Sequence, residues 1–438
     1  MTRPARVSDW RATTALSRAV ILVALALLLG VALGRVELVL LAIPLVVGTG
    51  WALLARPPQP PRPRLELDEP STVEGGPVLA RVEVANSGER PLLCVATVRV
   101  PPWLRLKHGV GYYSTLLPPR TGTTMRVEGR VQRWGAYRLG PAVARSVAAD
   151  GLLVADSAVM PSLPLSVYPA GERFDSTQPL PRARGITGTH RSRRPGDGGE
   201  LAEVRLFHTG DRLRRINWRV SHRTGALHVN TTWADRDADV LLVLDVRHES
   251  GKSGGVDGRV TALDQTIRAA AAIVEHYAQQ GDRIGLLEFG TGLRRLPSGT
   301  GRRHFRAALE WLVRVDPFPR ALSLSPRLLT TALRPPHALV IVLTPLLDTD
   351  VVGFLAGLAR TGRSVVAVDT LPAGAAPPRR TTWTELAVRL WWWERANTID
   401  RLRNVGVPVA RWQGIGSLDL TLRHAYQMSA RSARVVAR

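Results

Sequence analysis

Two long apolar runs near the start of the chain, parted by little more than Arg35, constrain its fold more than any other feature. Ser17 to Gly34 is apolar apart from Arg18, and Val36 to Ala55 is apolar apart from Glu37 and a break at Pro44. Each is close to the length of about 17–25 residues that crosses a bilayer as a helix. The break between them is too short for an external domain, so the runs predict a transmembrane helical hairpin over 17–55. A secretory signal peptide is the rival reading, but it has one apolar core and leaves the second run unexplained. Arg3, Arg6 and Arg11 lie in the polar tail 1–16, and Arg56, Arg62 and Arg64 follow the second run. By the positive-inside rule both ends face the cytoplasm. The expected location is therefore the cell membrane, two helices deep, with the bulk of the chain cytoplasmic.

The linker 56–64, RPPQPPRPR, is proline-rich and reads as an extended spacer. Over 65–170 the pattern becomes short alternating runs: Val78 to Val84, Leu92 to Val100, Thr123 to Val131 and Leu163 to Val167. Turn sequences such as Glu74-Gly75-Gly76-Pro77 and Asn86-Ser87-Gly88 separate them. Strands at this spacing predict a small all-β, sandwich-like domain. A basic loop, 171–197, carries Arg182, Arg184, Arg191, Arg193 and Arg194. From 236 to 438 apolar strands alternate with helical segments. The strands are expected at Val240–Val246, Arg283–Phe289, Ala338–Thr344, Ser364–Asp369 and Val407–Trp412. The helices are expected at Thr261–Gln280, Arg302–Val315, Asp350–Arg360 and Thr384–Arg403, with a last one from Leu418 to Ala430. That alternation predicts an α/β domain with a mainly parallel, doubly wound sheet, whose ligands bind at the carboxyl ends of the strands.

Between these domains, 198–235 is dense in charge. Glu200 and Glu203 precede a predicted helix that Asp211 would cap and Gly225 would end, with Arg223 near the negative end of its dipole. Leu213, Ile216, Asn217 and Val220 have helical spacing and would form the buried face, with Trp218 anchoring the helix against the sheet. Arg212, Arg215, Arg219, His222 and Arg223 would form the other face. A strand is expected from Ala226 to Trp233.

This stretch carries a family resemblance. Gly198-Gly199-Glu200, Glu203-Val204-Arg205, Gly210-Asp211, Arg214-Arg215-Ile216-Asn217-Trp218-Arg219 and Arg223-Thr224-Gly225 with Leu227 resemble the signature of the bacterial domain of unknown function 58. His222 departs from it, since a small residue is usual there. The resemblance implies a membrane-anchored protein with a von Willebrand factor A-like domain, whose relatives are often encoded beside a MoxR-type AAA+ ATPase. It also implies where a metal would sit. An A-domain carries Asp-x-Ser-x-Ser after its first strand, with oxygen ligands for a divalent ion. Here the run is Asp245-Val246-Arg247-His248-Glu249, with Arg247 and Glu249 in place of the serines. Thr344-Pro345-Leu346-Leu347-Asp348 stands where Thr-Asp-Gly is expected, and Thr300 or Ser298 is the candidate for the middle threonine. The metal signature is degenerate, and no metal or other cofactor is expected.

The net charge of +23 is almost wholly arginine, with Lys107 and Lys252 the only lysines. Such charge favours anionic partners. Charge alone supports nucleic acid, however, and the basic loop has only Phe174 as an aromatic to stack on a base. With Cys94 the single cysteine, intramolecular disulfides and cysteine zinc sites are excluded. Trp391-Trp392-Trp393 cannot all share the helical face of Trp383, Leu386 and Leu390, so at least one should be exposed. No phosphate-binding loop, His-Glu-x-x-His or Gly-x-Ser-x-Gly element is present, and no catalytic set is expected. The chain reads as a non-enzymatic membrane adaptor for a MoxR-type ATPase and a protein client. A metal-dependent or hydrolytic enzyme and a nucleic-acid-binding membrane protein are the alternatives.

Overall fold

The computed structural model describes residues 10–54, 61, 63–86, 88–108, 111–156, 159–171, 195–208, 211, 213–233, 239–290, 294–316, 333, 338–373, 375 and 384–413. The basic-loop arginines, Gly210, Arg212, Trp383 and the expected helix from Leu418 to Ala430 lie outside the described residues, as do the side chains of Glu200 and Arg214. The chain divides into two units, Met1–Ala170 with Gly254–Gly258, and Gly171–Ser253 with Arg259–Arg438.

The first unit begins with a two-residue strand, β1 (Arg11–Ala12), then α1 (Thr14–Leu33) and α2 (Val36–Leu54). Both helices are long and apolar enough to cross a membrane. Gly34 ends α1 with φ of 61°, a left-handed conformation that glycine adopts without steric cost. Gly30 lets the helices close on each other, because a Cβ there would meet Val39 Cγ2 at 2.8 Å.

Eleven strands follow: β2 (Pro63–Leu67), β3 (Ser71–Val73), β4 (Pro77–Ala85), β5 (Leu92–Val98), β6 (Leu104–Leu106), β7 (Tyr112–Leu117), β8 (Gly122–Val131), β9 (Gly135–Leu139), β10 (Ala142–Ala148), β11 (Leu153–Asp156) and β12 (Leu163–Tyr168). One antiparallel sheet runs β1-β11-β10-β5-β7 and another β2-β4-β8-β6, while a smaller mixed sheet, β3-β12-β9, pairs β3 with β12 in parallel. Strict alternation in β4, β5 and β10 sends Val82, Cys94 and Ala144 into one shared apolar core. The hairpin is fastened to this sandwich at both of its ends. β1 pairs with β11, and Thr13 donates from N–H to Leu152 O (2.9 Å) and from Oγ1 to Gly151 O (2.7 Å). Trp10 and Leu16 at one end and Leu53 at the other pack on the sandwich core. The start of α1 and the end of α2 therefore lie on the sandwich side.

The second unit opens with β13 (Pro195–Leu206), a 3-10 turn at Leu213–Arg215, α3 (Trp218–Thr224) and β14 (His228–Trp233), in which β13 and β14 pair antiparallel. The single helix expected from Asp211 onward is thus corrected to a turn and a short helix. Asn217 caps α3 by accepting from Val220 N–H at 3.1 Å, as asparagine does in competition with helix. Ile216, expected on a helical face, is buried through a bridge to Val229. Gly225 ends α3 as expected, with φ of 73°. Trp218 is the clearest correction: it is 68% exposed and anchors nothing among the described residues.

Then come β15 (Asp239–Asp245), α4 (Ala262–Gln280), β16 (Arg283–Phe289), β17 (Arg295–Gly299), α5 (Gly301–Leu312), β18 (Leu339–Thr344), α6 (Thr349–Arg360), β19 (Val365–Asp369), α7 (Thr384–Asn404) and β20 (Val409–Arg411). The sheet order is β17-β16-β15-β18-β19-β20, with only β17 antiparallel. The near-continuous apolar runs of β15 and β18 fit strands covered on both faces. Counted in chain order from β15, the strands lie 3-2-1-4-5-6. The sheet reverses direction between β15 and β18, and the carboxyl ends of those two strands flank the crevice where ligands of such sheets bind.

The burial pattern separates two tryptophans. Trp134 is 2% exposed, so Trp134→Ala should cost about 3–5 kcal/mol. Trp218→Ala should stay within about 0.5 kcal/mol. Urea unfolding of the purified chain followed by tryptophan fluorescence measures both. A large loss on Trp218→Ala would contradict its placement.

Candidate functional site: a guanidinium between the central strands

β15 ends on Asp245, and Thr344 ends β18 beside it. Thr344 Oγ1 donates to Asp245 Oδ2 at 2.8 Å, and both side chains are buried. Arg247, two residues on, turns back into the crevice. Its Nε donates to Asp245 Oδ1 at 3.1 Å. Its Nη1 lies 2.8 Å from Asp348 Oδ2 and 3.5 Å from Asp350 Oδ2. Its Cζ stands 4.0 Å from the centre of the Phe289 ring, where a cation is favoured by the negative π face. The guanidinium is buried, and its Nη2 has no hydrogen-bond partner among the described residues.

The surrounding groups are also engaged. His248 Nε2 is 3.2 Å from Asp348 Oδ2. Glu249 accepts from Thr261 Oγ1 at 3.0 Å, at the N-terminus of α4, where Thr261 and Asp264 form a capping box. Asp348 caps α6 by accepting from Asp350 N–H at 2.9 Å. Partial burial acts to raise the Asp348 carboxyl. The Asp350 N–H, His248 and the charge of Arg247 outweigh it and hold the group below the ordinary carboxylate range.

A second buried arginine continues the network. Leu346, just past β18, takes φ of 50°, a strained value for leucine. Its N–H donates to Thr344 Oγ1 at 3.0 Å, and its carbonyl accepts from Arg395 Nη1 at 3.2 Å. Arg395, on α7, also pairs with Asp369 at the end of β19. Burial pushes the Asp369 carboxyl up, and Arg395 opposes that only in part.

The structure thus brings together Asp245, Arg247, Glu249, Thr344 and Asp348 at one end of the sheet. Ser298 and Thr300 are corrected: Gly299 pairs with Ile284 near the start of β16, so they belong to the opposite end. Among the described residues no group of three or more His, Cys, Asp or Glu side chains is placed to hold a metal ion.

Comparison with known proteins bears on this same stretch. The family described as "Protein of unknown function DUF58" matches residues 203–373. Over this segment the chain is similar to that family. Uncharacterized proteins of Mycobacterium bovis (Mb1516) and Mycobacterium tuberculosis (Rv1480) are 33% identical to the chain over 156 residues, 35% of this chain and 47% of theirs. The chain spans about half the length of the curated relatives it matches. A structural match to the cupredoxin domain of amoB from Nitrosocaldus yellowstonii covers 27% of this chain and 94% of that one, at 6% identity and a TM-score of 0.17, too slight to carry an argument.

The matched segment takes in β15, the Arg247 crevice and β19, and stops before Arg395. Its charged signature folds on itself. Arg205 and Asp211 form a two-pronged pair, both contacts 2.8 Å, and Asp211 also accepts from His208 N–H at 2.8 Å. Asp211 is therefore a partner of Arg205, not a helix cap. Arg205 and the His208 N–H hold its carboxyl below the usual range. Asn217 Nδ2 reaches Asn230 Oδ1 at 2.8 Å and ties α3 to β14. Glu203, Arg219, His222, Arg223 and Gly225 are exposed, Arg215 is half-buried, and Gly199 and Glu200 lie on β13. Sequence reasoning missed the Arg395–Asp369 pair, because nothing local marks residues 26 apart as partners.

Removing Arg247 leaves Asp245 buried without its cation. Arg247→Ala should destabilise the chain by about 3–5 kcal/mol, and Asp245→Asn in that background should recover part of the loss. Chemical unfolding of the two variants checks this. The pH dependence follows from Asp348. A carboxyl with a depressed folded value adds stability above the ordinary carboxylate pKa of about 4, and that stability is lost as pH falls through the depressed value. Asp348→Asn should therefore flatten the acid limb of the melting-temperature profile.

Proposed function

We propose that this chain is a membrane-anchored, non-enzymatic adaptor whose doubly wound domain is von Willebrand factor A-like and presents a protein client to a MoxR-type AAA+ ATPase. The observation that carries the reading is Arg247. Doubly wound sheets hold ligands at the reversal point, and here a guanidinium from the chain itself fills that point. A fixed cation paired with Asp245 and Asp348 gives the crevice the charge balance a divalent ion would otherwise supply, without exchange. The strand order supports the A-like reading, and the ATPase partnership rests on the DUF58 resemblance. The arginines before α1 and after α2 support a cytoplasmic position for both ends of the hairpin.

The exposed arginines of α3 are the capture surface in this account. Arg219→Ala and Arg223→Ala should leave stability within about 0.5 kcal/mol yet reduce co-purification of an AAA+ ATPase from native membranes, compared with and without ATP. Unchanged capture by a normally folded variant would remove that surface from the account. A reporter active only outside the cytoplasm, fused to the C-terminus, should stay silent. Strong activity would overturn the topology.

A further inference from the structure

The outer face of the five-stranded sheet carries an apolar row at the end where the hairpin is fastened. Register places Arg11, Val154, Val147, Leu93 and Leu116 side by side across β1, β11, β10, β5 and β7. Directly opposed residues of an antiparallel sheet share a face. The inner neighbours Leu92, Leu117 and Leu153 fill the core, so this row points outward. Leu116 is 63% exposed and Leu93 is 43% exposed, while Val147 and Val154 are half-buried. The next outward row along the strands is different, with Arg145, Val95 and Ser114 in register.

The position of the row identifies what covers it. Arg11 is three residues before α1, and Thr13 joins that helix to Leu152 beside Val154. At the other end of the row, Arg90, three residues before Leu93, stacks its guanidinium 5.3 Å from the ring of Trp51 on α2. Leu16 and Leu53, inside the two helices, pack on the sandwich core itself. The row therefore continues the apolar surface of the hairpin. A bilayer's headgroup layer adds about 5–8 Å beyond the hydrocarbon on each side. A row about two residues from the end of the sheet, at about 3.3 Å per residue, falls within that layer. Tryptophan and arginine beside it suit the same layer.

We infer that the sandwich is partly immersed in the bilayer interface, with Leu116 and Leu93 dipping into the headgroup layer of the membrane that α1 and α2 cross. The inference rests on the membrane reading of the hairpin, so its test reads both. The full chain is reconstituted in vesicles of phosphatidylcholine and phosphatidylglycerol with a nitroxide on Leu116→Cys, Leu93→Cys, Tyr112→Cys or Leu41→Cys. Native Cys94 is buried, and wild type carried through the same labelling reaction controls for it. Tyr112 is on the same strand and face as Leu116, 59% exposed, and about 14 Å further out. Collision with oxygen, which partitions into lipid, is compared with collision with a water-soluble nickel chelate. The oxygen-to-nickel ratio should be several-fold higher at 116 and 93 than at 112, and highest at 41. A ratio at 116 equal to that at 112, with 41 still shielded from nickel, overturns the immersion and leaves the hairpin standing. Nickel access at 41 overturns the hairpin reading and the immersion with it. Shielding of 116 from both reagents, with dipolar broadening between copies, assigns the row to a second copy of the chain and also overturns the proposal.

Discussion

An arginine side chain cannot shed its charge to escape a buried site, so Arg247 dictates the arrangement of everything around the crevice between β15 and β18. Its Nε needs Asp245, its Nη1 needs Asp348, and its flat face rests against Phe289 at the end of β16. Those partners come from the end of β15, the N-cap of α6 and the end of β16. The reversal point of the sheet is thereby cross-linked by one side chain. The strained Leu346 passes the constraint on, since its carbonyl meets Arg395 and Arg395 meets Asp369. Four strands and two helices share one chain of buried charge.

Such a network is costly to assemble and more costly to break. Each ion gives up its hydration, and attraction repays that cost only where geometry is good. At one end burial prevails over Arg395 and pushes the Asp369 carboxyl up. The lowered Asp348 carboxyl shows hydrogen bonds and charge prevailing at the other, where solvent is nearer. Both buried arginines, Arg247 and Arg395, lie at the carboxyl ends of the parallel strands. They fix the loops after β15, β18 and β19 in one arrangement. In the first unit, backbone pairing through β1 and Thr13 fastens the sandwich to the hairpin in the same spirit.

Period and apolar run length made the framework readable in advance. The hairpin, the strands β15, β16, β18 and β19, and the helices α4 to α7 follow the expected bounds closely, because two-sided burial and helical spacing are local signals. The antiparallel edge strand β17 was not readable, since Arg295 to Gly299 is neither alternating nor apolar. In 198–235 the helical spacing of Leu213, Ile216 and Val220 misled. Asn217 and the Arg205–Asp211 pair compete locally with helix, and Ile216 is buried by a strand instead. Trp218 was expected inside for its size, but it lies on the outward side of a helix of only two turns. That Arg247 stands where the resemblance to an A-domain implies a serine was visible in the sequence. Its consequence, a guanidinium folded back onto Asp245 and across to Asp348, needed the ends of β15 and β18 brought together, where Asp245 and Thr344 meet across 99 residues.

At the reversal point of the sheet the chain supplies its own cation, Arg247. Isothermal titration of the purified chain with magnesium and calcium tests it most directly. No saturable binding is expected, and no rise in melting temperature where a ligand at 100 times its Kd would add about 2.7 kcal/mol. Saturable binding by the wild-type chain, abolished by Asp245→Ala, would contradict it.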